Sequence, residues 1–203
     1  MIESFEQQAL DSFYLENKRR VEFSRDDWKR LQPCMKVMKV DAQCLLQEAG
    51  SPVSYHYFIV SGLIRNFYTS PEGKEHNKSF YQENYIAGNF SAVLQNAPSR
   101  FSIETLTPCT LIQYPINQLK IVCEKSLGWE RLFNCCCQLM LIRNERREAE
   151  LLTLSARERY LLLLKNLPDI HNQIRQYHIA SYLGITPEAL SKHKKQWLKT
   201  QSL

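Results

Sequence analysis

The sequence predicts an α+β chain in three parts: an N-terminal β-roll of the jelly-roll kind over residues 1–125, one long helix over 126–154, and a small α-helical unit over 155–203. Three observations carry this expectation. Short β-rich runs separated by turn signals fill residues 34–114. Between residues 127 and 154 there is no proline, and Gly128 is the sole glycine. The positive charge is uneven: residues 1–154 hold 18 Lys+Arg against 18 Asp+Glu, whereas residues 155–203 hold 8 against 3.

Before the roll, Phe5 to Leu15 carries a moderate helical pattern. Ser24, followed by Asp26, Asp27, Trp28 and Leu31, reads as a short helix with a hydroxyl cap and acids in its first turn. The β-rich runs are Met35–Val40, Tyr55–Val60, Leu63–Tyr68, Ser79–Tyr81, Phe101–Thr105 and Thr110–Tyr114. Ala49-Gly50-Ser51-Pro52, Ser61-Gly62 and Ser70-Pro71-Glu72-Gly73 punctuate them. Several short strands at this spacing suggest a closed roll.

The long helix carries an apolar stripe of Trp129, Leu132, Phe133, Cys136, Leu139 and Met140, then turns charged from Arg143 to Glu150. So much apolar surface needs a partner. A second copy of the chain is one choice and the chain's own roll is the other, so the stripe is expected to serve both, with a homodimer as the assembly. Ser155 restarts a helix, which Leu167-Pro168-Asp169 stops.

The basic end contains the most informative segment, Gln176–Lys195, reading QYHIASYLGITPEALSKHKK. Ile179, Ala180 and Leu183 fit one face of a short helix, and Gly184 suits the left-handed residue that ends it. Thr186 can cap a second helix, Pro187 suits its first position, and Glu188 favours its positive end. Stop and start two residues apart force a steep helix crossing, where Ala180 supplies a small residue. Leu190 and Trp197, seven apart with His193 between them, mark the inner face. His193 stands where an aliphatic residue is usual and reads as a packed, half-buried side chain. Glu188, Ser191, Lys192 and Lys195 then point outward as a polar, basic face suited to a DNA major groove. Gln176, Tyr177, Thr186 and Pro187 complete the candidate DNA-binding set. A local excess of Lys and Arg fits this, because phosphate contacts release counterions and supply sequence-independent affinity.

Other classes fit less well. A composition of 44% hydrophobic and 23% charged residues is ordinary for a globular protein. No apolar run approaches the roughly 18–20 residues that span a bilayer, and Met1–Leu10 lacks the apolar core of a secretion signal, so a cytoplasmic protein without membrane contact is expected. The seven cysteines, three of them consecutive at Cys135, Cys136 and Cys137, suit a reducing compartment and small buried side chains. Adjacent helical residues point about 100° apart, which opposes joint metal binding. A metal-dependent enzyme on a β-roll would need clustered histidines, yet the roll holds only His56 and His76. No P-loop, nucleophile elbow or dinucleotide glycine motif occurs. No catalytic residue and no metal ligand is therefore assigned.

The order of helix, β-roll, long helix and basic helix-turn-helix resembles the Crp/Fnr superfamily of transcription regulators. Tyr57 to Arg65 (YFIVSGLIR) looks like the family's early roll strands and glycine turn, and Pro71 to Glu75 like its next hairpin. Ile179 to Ser191 (IASYLGITPEALS) is the most specific match. The resemblance implies a cyclic-nucleotide-binding-like effector domain, a homodimer, a palindromic double-stranded DNA target and contact with RNA polymerase. It places Pro187, Glu188 and Lys192 at base-reading positions, where Glu188 could accept from cytosine and Lys192 donate to guanine. Members that bind cyclic AMP present a Gly-Glu pair and an Arg-Ser pair. This chain offers Gly88-Asn89-Phe90 and Ser99-Arg100-Phe101 instead, so the candidate effector pocket is Gly88, Asn89, Phe90, Ser99 and Arg100, and cyclic AMP is not expected in the usual pose. No iron–sulfur cysteine cluster is present near the N-terminus, so no cofactor is assigned, and any small-molecule effector is left unnamed. The alternative function is a ligand-binding signalling module that acts through protein contacts without DNA.

Overall fold

A computed structural model describes residues 4–201 of the chain, with side chains to residue 195. Two helices come first: α1 (Phe5–Arg20), capped by Ser4, and α2 (Arg25–Leu31). In α2 the Ser24 hydroxyl accepts from Asp27 N–H, and the Asp27 carboxylate accepts from Ser24 N–H, a reciprocal cap that satisfies two orphan donors. The roll follows, with β1 (Lys36–Val40), β2 (Leu45–Gln47), β3 (Tyr55–Ser61), β4 (Ile64–Thr69), β5 (Glu75–Tyr81), β6 (Ile86–Ala87), the short α3 (Phe90–Gln95), β7 (Ser102–Thr105) and β8 (Cys109–Pro115).

The strands form two antiparallel sheets, ordered β1-β8-β3-β6 and β2-β7-β4-β5. Alternation along the first sheet explains its continuous apolar runs. Tyr57, Ile59 and Leu111 fill the space between the sheets with Ile64, Tyr81 and Ile103, while Phe58, Ile112 and Tyr114 point to the other face. There they meet Phe13 and Trp28 of α1 and α2, and Trp129 and Leu132 of the long helix. A sheet buried on both faces needs no polar alternation.

After the roll come α4 (Ile116–Cys123), the long α5 (Leu127–Thr153), α6 (Ala156–Asn166), α7 (Ile170–Gln173), α8 (Gln176–Leu183) and α9 (Pro187–Gln201). Ser126 and Ser155 cap α5 and α6 through their hydroxyls. No helix among the described residues is long and apolar enough to cross a membrane. A third core, built from Tyr160, Leu163, Ile170, Ile179, Leu183 and Leu190, includes Leu63 and Phe80 of the roll. The C-terminal helices are therefore packed onto the outer face of β5.

The sequence expectation differs from the structure in three places. The strand expected at Ser79–Tyr81 begins at Glu75, because the outer face of β5 is held to α8 by hydrogen bonds and so carries polar residues. The three-residue β2 and two-residue β6 are too short to show a period. Helix α3 occupies a stretch read as pocket lining.

Candidate functional site

The C-terminal helical pair is built around Gly184. Its backbone lies at φ 70°, ψ 32°, the left-handed region that costs glycine least. Gly184 N–H donates to Ser181 O at 3.2 Å and Ile185 N–H to Ala180 O at 3.1 Å, the paired bonds that close a helix C-terminus around a left-handed residue. Two residues later the Thr186 hydroxyl accepts from Ala189 N–H at 3.3 Å and starts α9. Ile179, Ala180, Leu183 and Leu190 are fully buried at the crossing. The Ser191 hydroxyl lies 3.0 Å from Pro187 O and 3.4 Å from Gln176 Oε1, which ties the start of α8 to the first turn of α9.

The candidate DNA residues are placed together on this unit. Gln176, Tyr177, Thr186, Pro187, Glu188, Lys192 and Lys195 are exposed, and Ser191 is partly so. The Glu188 carboxyl is held below its ordinary value by the backbone N–H at the helix start and by the Thr186 hydroxyl, and therefore stays charged. His193 is half-buried, and its Nδ1 has no partner among the described residues. Trp197, expected on the inner face, lies outside the residues whose side chains are described.

Helix α8 is gripped from two sides, and sequence reasoning missed the residues that do it. From the roll, Asn77 Nδ2 donates to His178 O at 2.9 Å and lies 3.3 Å from its Nδ1, while Asn77 N–H donates to Ser181 Oγ at 2.9 Å. Asn77 Oδ1 in turn accepts from the buried Arg65, whose guanidinium pairs with Glu104 at 2.6 Å and Glu75 at 2.7 Å. Burial, with Arg65 and Arg175 nearby, pushes the His178 imidazole down to about 4. From the other side, Arg147 of α5 donates to Tyr182 O and lies over the Tyr182 ring. Arg159 of α6 bridges Leu183 O at 3.1 Å and Leu154 O at 2.5 Å. Two arginines thus meet the negative C-terminal end of α8. Polar residues in the middle of a strand, Asn77 above all, were the available signal for this joint.

The candidate effector residues are brought together but sealed. Asn89 is 2% exposed: its Oδ1 caps α3 by accepting from Ala92 N–H at 3.1 Å, and its Nδ2 donates to Ser99 Oγ at 2.9 Å. Ser99 donates in turn to Phe101 O at 2.6 Å. Phe90 is buried against the ring of His56, and a Cβ at Gly88 would collide with that same ring. Arg100 is exposed. The expected pocket is thus a closed cluster whose polar atoms serve one another, because Asn89, shorter than glutamate, turns back to cap the helix.

The apolar stripe of α5 divides. Trp129, Leu132 and Cys136 are buried within the chain's own core, and Phe133 and Met140 pack against it, which leaves Leu139 as the exposed member of that set. Leu141, Ile142, Leu151 and Leu152, not singled out from the sequence, are also exposed. Burial raises the Cys136 thiol to about 12, consistent with an inert packing residue.

Residues 37–126 match the family model of the cyclic nucleotide-binding domain. No curated protein sequence matches the chain at a significant level. Solved structures do. FixK2 from Bradyrhizobium japonicum superposes with a TM-score of 0.73 at 19% identity, over 83% of this chain and 86% of that one. A putative Crp/Fnr-family transcriptional regulator from Eubacterium rectale gives 0.72 at 14% identity, over 88% and 85%. CLP of Xanthomonas campestris, described as a c-di-GMP-responsive global regulator, gives 0.67 at 17% identity, over 89% and 94%. The chain thus matches the cyclic nucleotide-binding domain model over residues 37–126 and shares the fold of these solved structures, one of them a putative regulator of the Crp/Fnr family.

Proposed function

We propose that the chain is a sequence-specific DNA-binding transcription regulator that acts as a homodimer and whose effector is not cyclic AMP in the usual pose. The observation that carries this reading is the exposed face of α9. Glu188, Lys192 and Lys195 stand clear of the core on a helix fixed by the Gly184 turn, in the one segment with excess positive charge. In a dimer, two such helices about 34 Å apart would enter successive major grooves of an imperfect palindrome. The grip of Asn77 on α8 supports a route for regulation, since any movement of β5 would reorient the recognition helix. The self-bonded Asn89 and Ser99 support the absence of a cyclic nucleotide cradle at that loop.

Gel retardation with DNA from the chain's own promoter region tests this. The expected result is retardation that weakens steeply as salt rises from 50 to 200 mM. Lys192→Ala should cost about 1–3 kcal/mol and relax preference at one base pair, whereas Lys195→Ala should weaken all sequences alike. Absence of retardation at low salt, or equal binding by the Lys192→Ala/Lys195→Ala double variant, would favour a signalling module that works through protein contacts.

A further inference from the structure

Helix α8 ends at the Gly184 turn, and the last four carbonyls of a helix have no partner within it. In α8 these belong to Ala180, Ser181, Tyr182 and Leu183, and every one of them is taken. The first two accept from Ile185 N–H and Gly184 N–H, inside the turn itself. The other two are met from different helices. Tyr182 O accepts from Arg147 of α5, and Leu183 O accepts from Nε and Nη2 of Arg159 of α6, at 3.3 and 3.1 Å. The Arg159 guanidinium reaches further, since its Nη1 donates to the carbonyl of Leu154, the residue that ends α5.

The junction these side chains cross has little else of a directional kind. Helix α5 stops at Thr153 and α6 starts at Ala156. The two residues between are extended, Leu154 at φ −102°, ψ 144° and Ser155 at φ −65°, ψ 160°. Their backbone bonds run back into α5, from Leu154 N–H to Glu150 O, or on into α6, from Arg159 N–H to Ser155 O. Such a link leaves the angle between its helices to other contacts, because a few residues at an element's end can absorb a large change in backbone dihedrals. Among the described residues, the side-chain hydrogen bonds that join α8 to α5 and α6 are those of Arg147 and Arg159. Both arginines are half-buried, and Arg147 is steadied by Glu150 at 3.6 Å and by the Tyr182 ring, whose centre lies 4.0 Å from its guanidinium. Apolar packing at this place is non-directional, whereas a planar guanidinium with two donors engaged fixes an orientation.

We infer that Arg147 and Arg159 are positioning residues that lock the angle between the long helix and the recognition helix α9, and so determine which half-site spacing the dimer accepts. This rests on the reading of the chain as a dimeric DNA-binding regulator. Neither arginine is asked to touch DNA. Leu183 directly precedes Gly184, so a grip on its carbonyl is a grip on the base of the turn that aims α9. In a dimer paired along α5, the separation and relative rotation of the two α9 helices follow from that angle in each chain. One base pair inserted between two half-sites moves one of them by about 3.4 Å and turns it by about 34–36°. A rigid joint rejects the altered spacing, and a loose one accepts several.

Gel retardation with a spacing series tests this. The half-site is selected by the parent from a random duplex pool, then placed singly or as inverted pairs whose separation changes by one base pair at a time. The parent is expected to bind one spacing at least tenfold better than its neighbours. In Arg147→Ala/Arg159→Ala that penalty should shrink to about threefold or less, with affinity for the best pair reduced and affinity for the single half-site within twofold of the parent. Arg159→Lys keeps the charge at the end of α8 but not the fork, and should relax the spacing nearly as far as Arg159→Ala. A spacing penalty as large in the double variant as in the parent, full rescue by Arg159→Lys, or a parent indifferent to spacing would overturn the proposal while leaving DNA binding intact. A parent that selects no duplex would overturn the reading as a regulator, and this inference with it.

Discussion

At the scale of single residues, His56 is the side chain whose surroundings contradict its chemistry most. It is fully buried on β3 between Phe90, Tyr114 and Gly88, and neither ring nitrogen has a hydrogen-bond partner among the described residues. Burial drives its imidazole from the ordinary 6.5 down to about 3. The unfolded chain therefore takes up a proton near pH 6.5 that the folded chain refuses until near pH 3. Stability from this group is full above pH 6.5 and declines as pH falls through that window. His178, lowered to about 4 by burial and by Arg65 and Arg175, acts in the same direction. The Tm is expected to fall between pH 7 and pH 5, and His56→Leu should flatten that fall while leaving the contribution of His178. An identical slope of Tm against pH in His56→Leu would show that His56 does not carry the acid sensitivity. No sequence pattern exposes this, since His56 alternates with Tyr55 and Tyr57 as any strand residue would.

At the scale of elements, what could be read from the chain was what local chemistry fixes. The Gly184 turn, the Thr186 start of α9 and the serine caps of α2 and α6 each depend on residues within three or four positions, so their signals survive in a linear string. What could not be read depended on distant partners. The Gly88–Phe90 stretch has the composition of a binding loop, yet Asn89 is spent on capping α3 and bonding Ser99. The polar start of β5 hid a strand because its outer face meets α8, about a hundred residues away, through Asn77 rather than through apolar contact. That joint is testable. Asn77→Ala removes a second bond to the His178 carbonyl and leaves one Arg65 donor unpaired, which should cost about 1–3 kcal/mol. Hydrogen exchange should quicken in α8 and α9 while β3 and β8 stay protected. Unchanged protection of α8 would mean that the third hydrophobic core alone holds the two units together.

At the scale of the whole molecule, the apolar residues of the long helix divide between a buried side and an exposed one. The 27 residues of α5 extend about 40 Å at 1.5 Å per residue. One side enters the chain's own core through Trp129, Leu132 and Cys136. On the side left open, Cys135, Ile142 and Ala149 recur at seven-residue spacing, with Leu139 and Leu152 alongside, the period by which two helices pack as a coiled coil. Ile142 is 54% exposed in the single chain, so a charge there should cost the fold little but should disrupt a helix pair along its length. If the parent sediments as the proposed dimer, Ile142→Glu is expected to sediment as a monomer while leaving the circular dichroism spectrum intact. Affinity for a two-half-site DNA should fall by about 100-fold or more, because joining two recognition helices converts the second contact into an intramolecular one. Affinity for an isolated half-site should change little, since Gly184, Lys192 and Lys195 are untouched. A variant that still dimerises would place the interface elsewhere. One that is monomeric yet binds the full site as well as the parent would show that a single chain suffices for recognition.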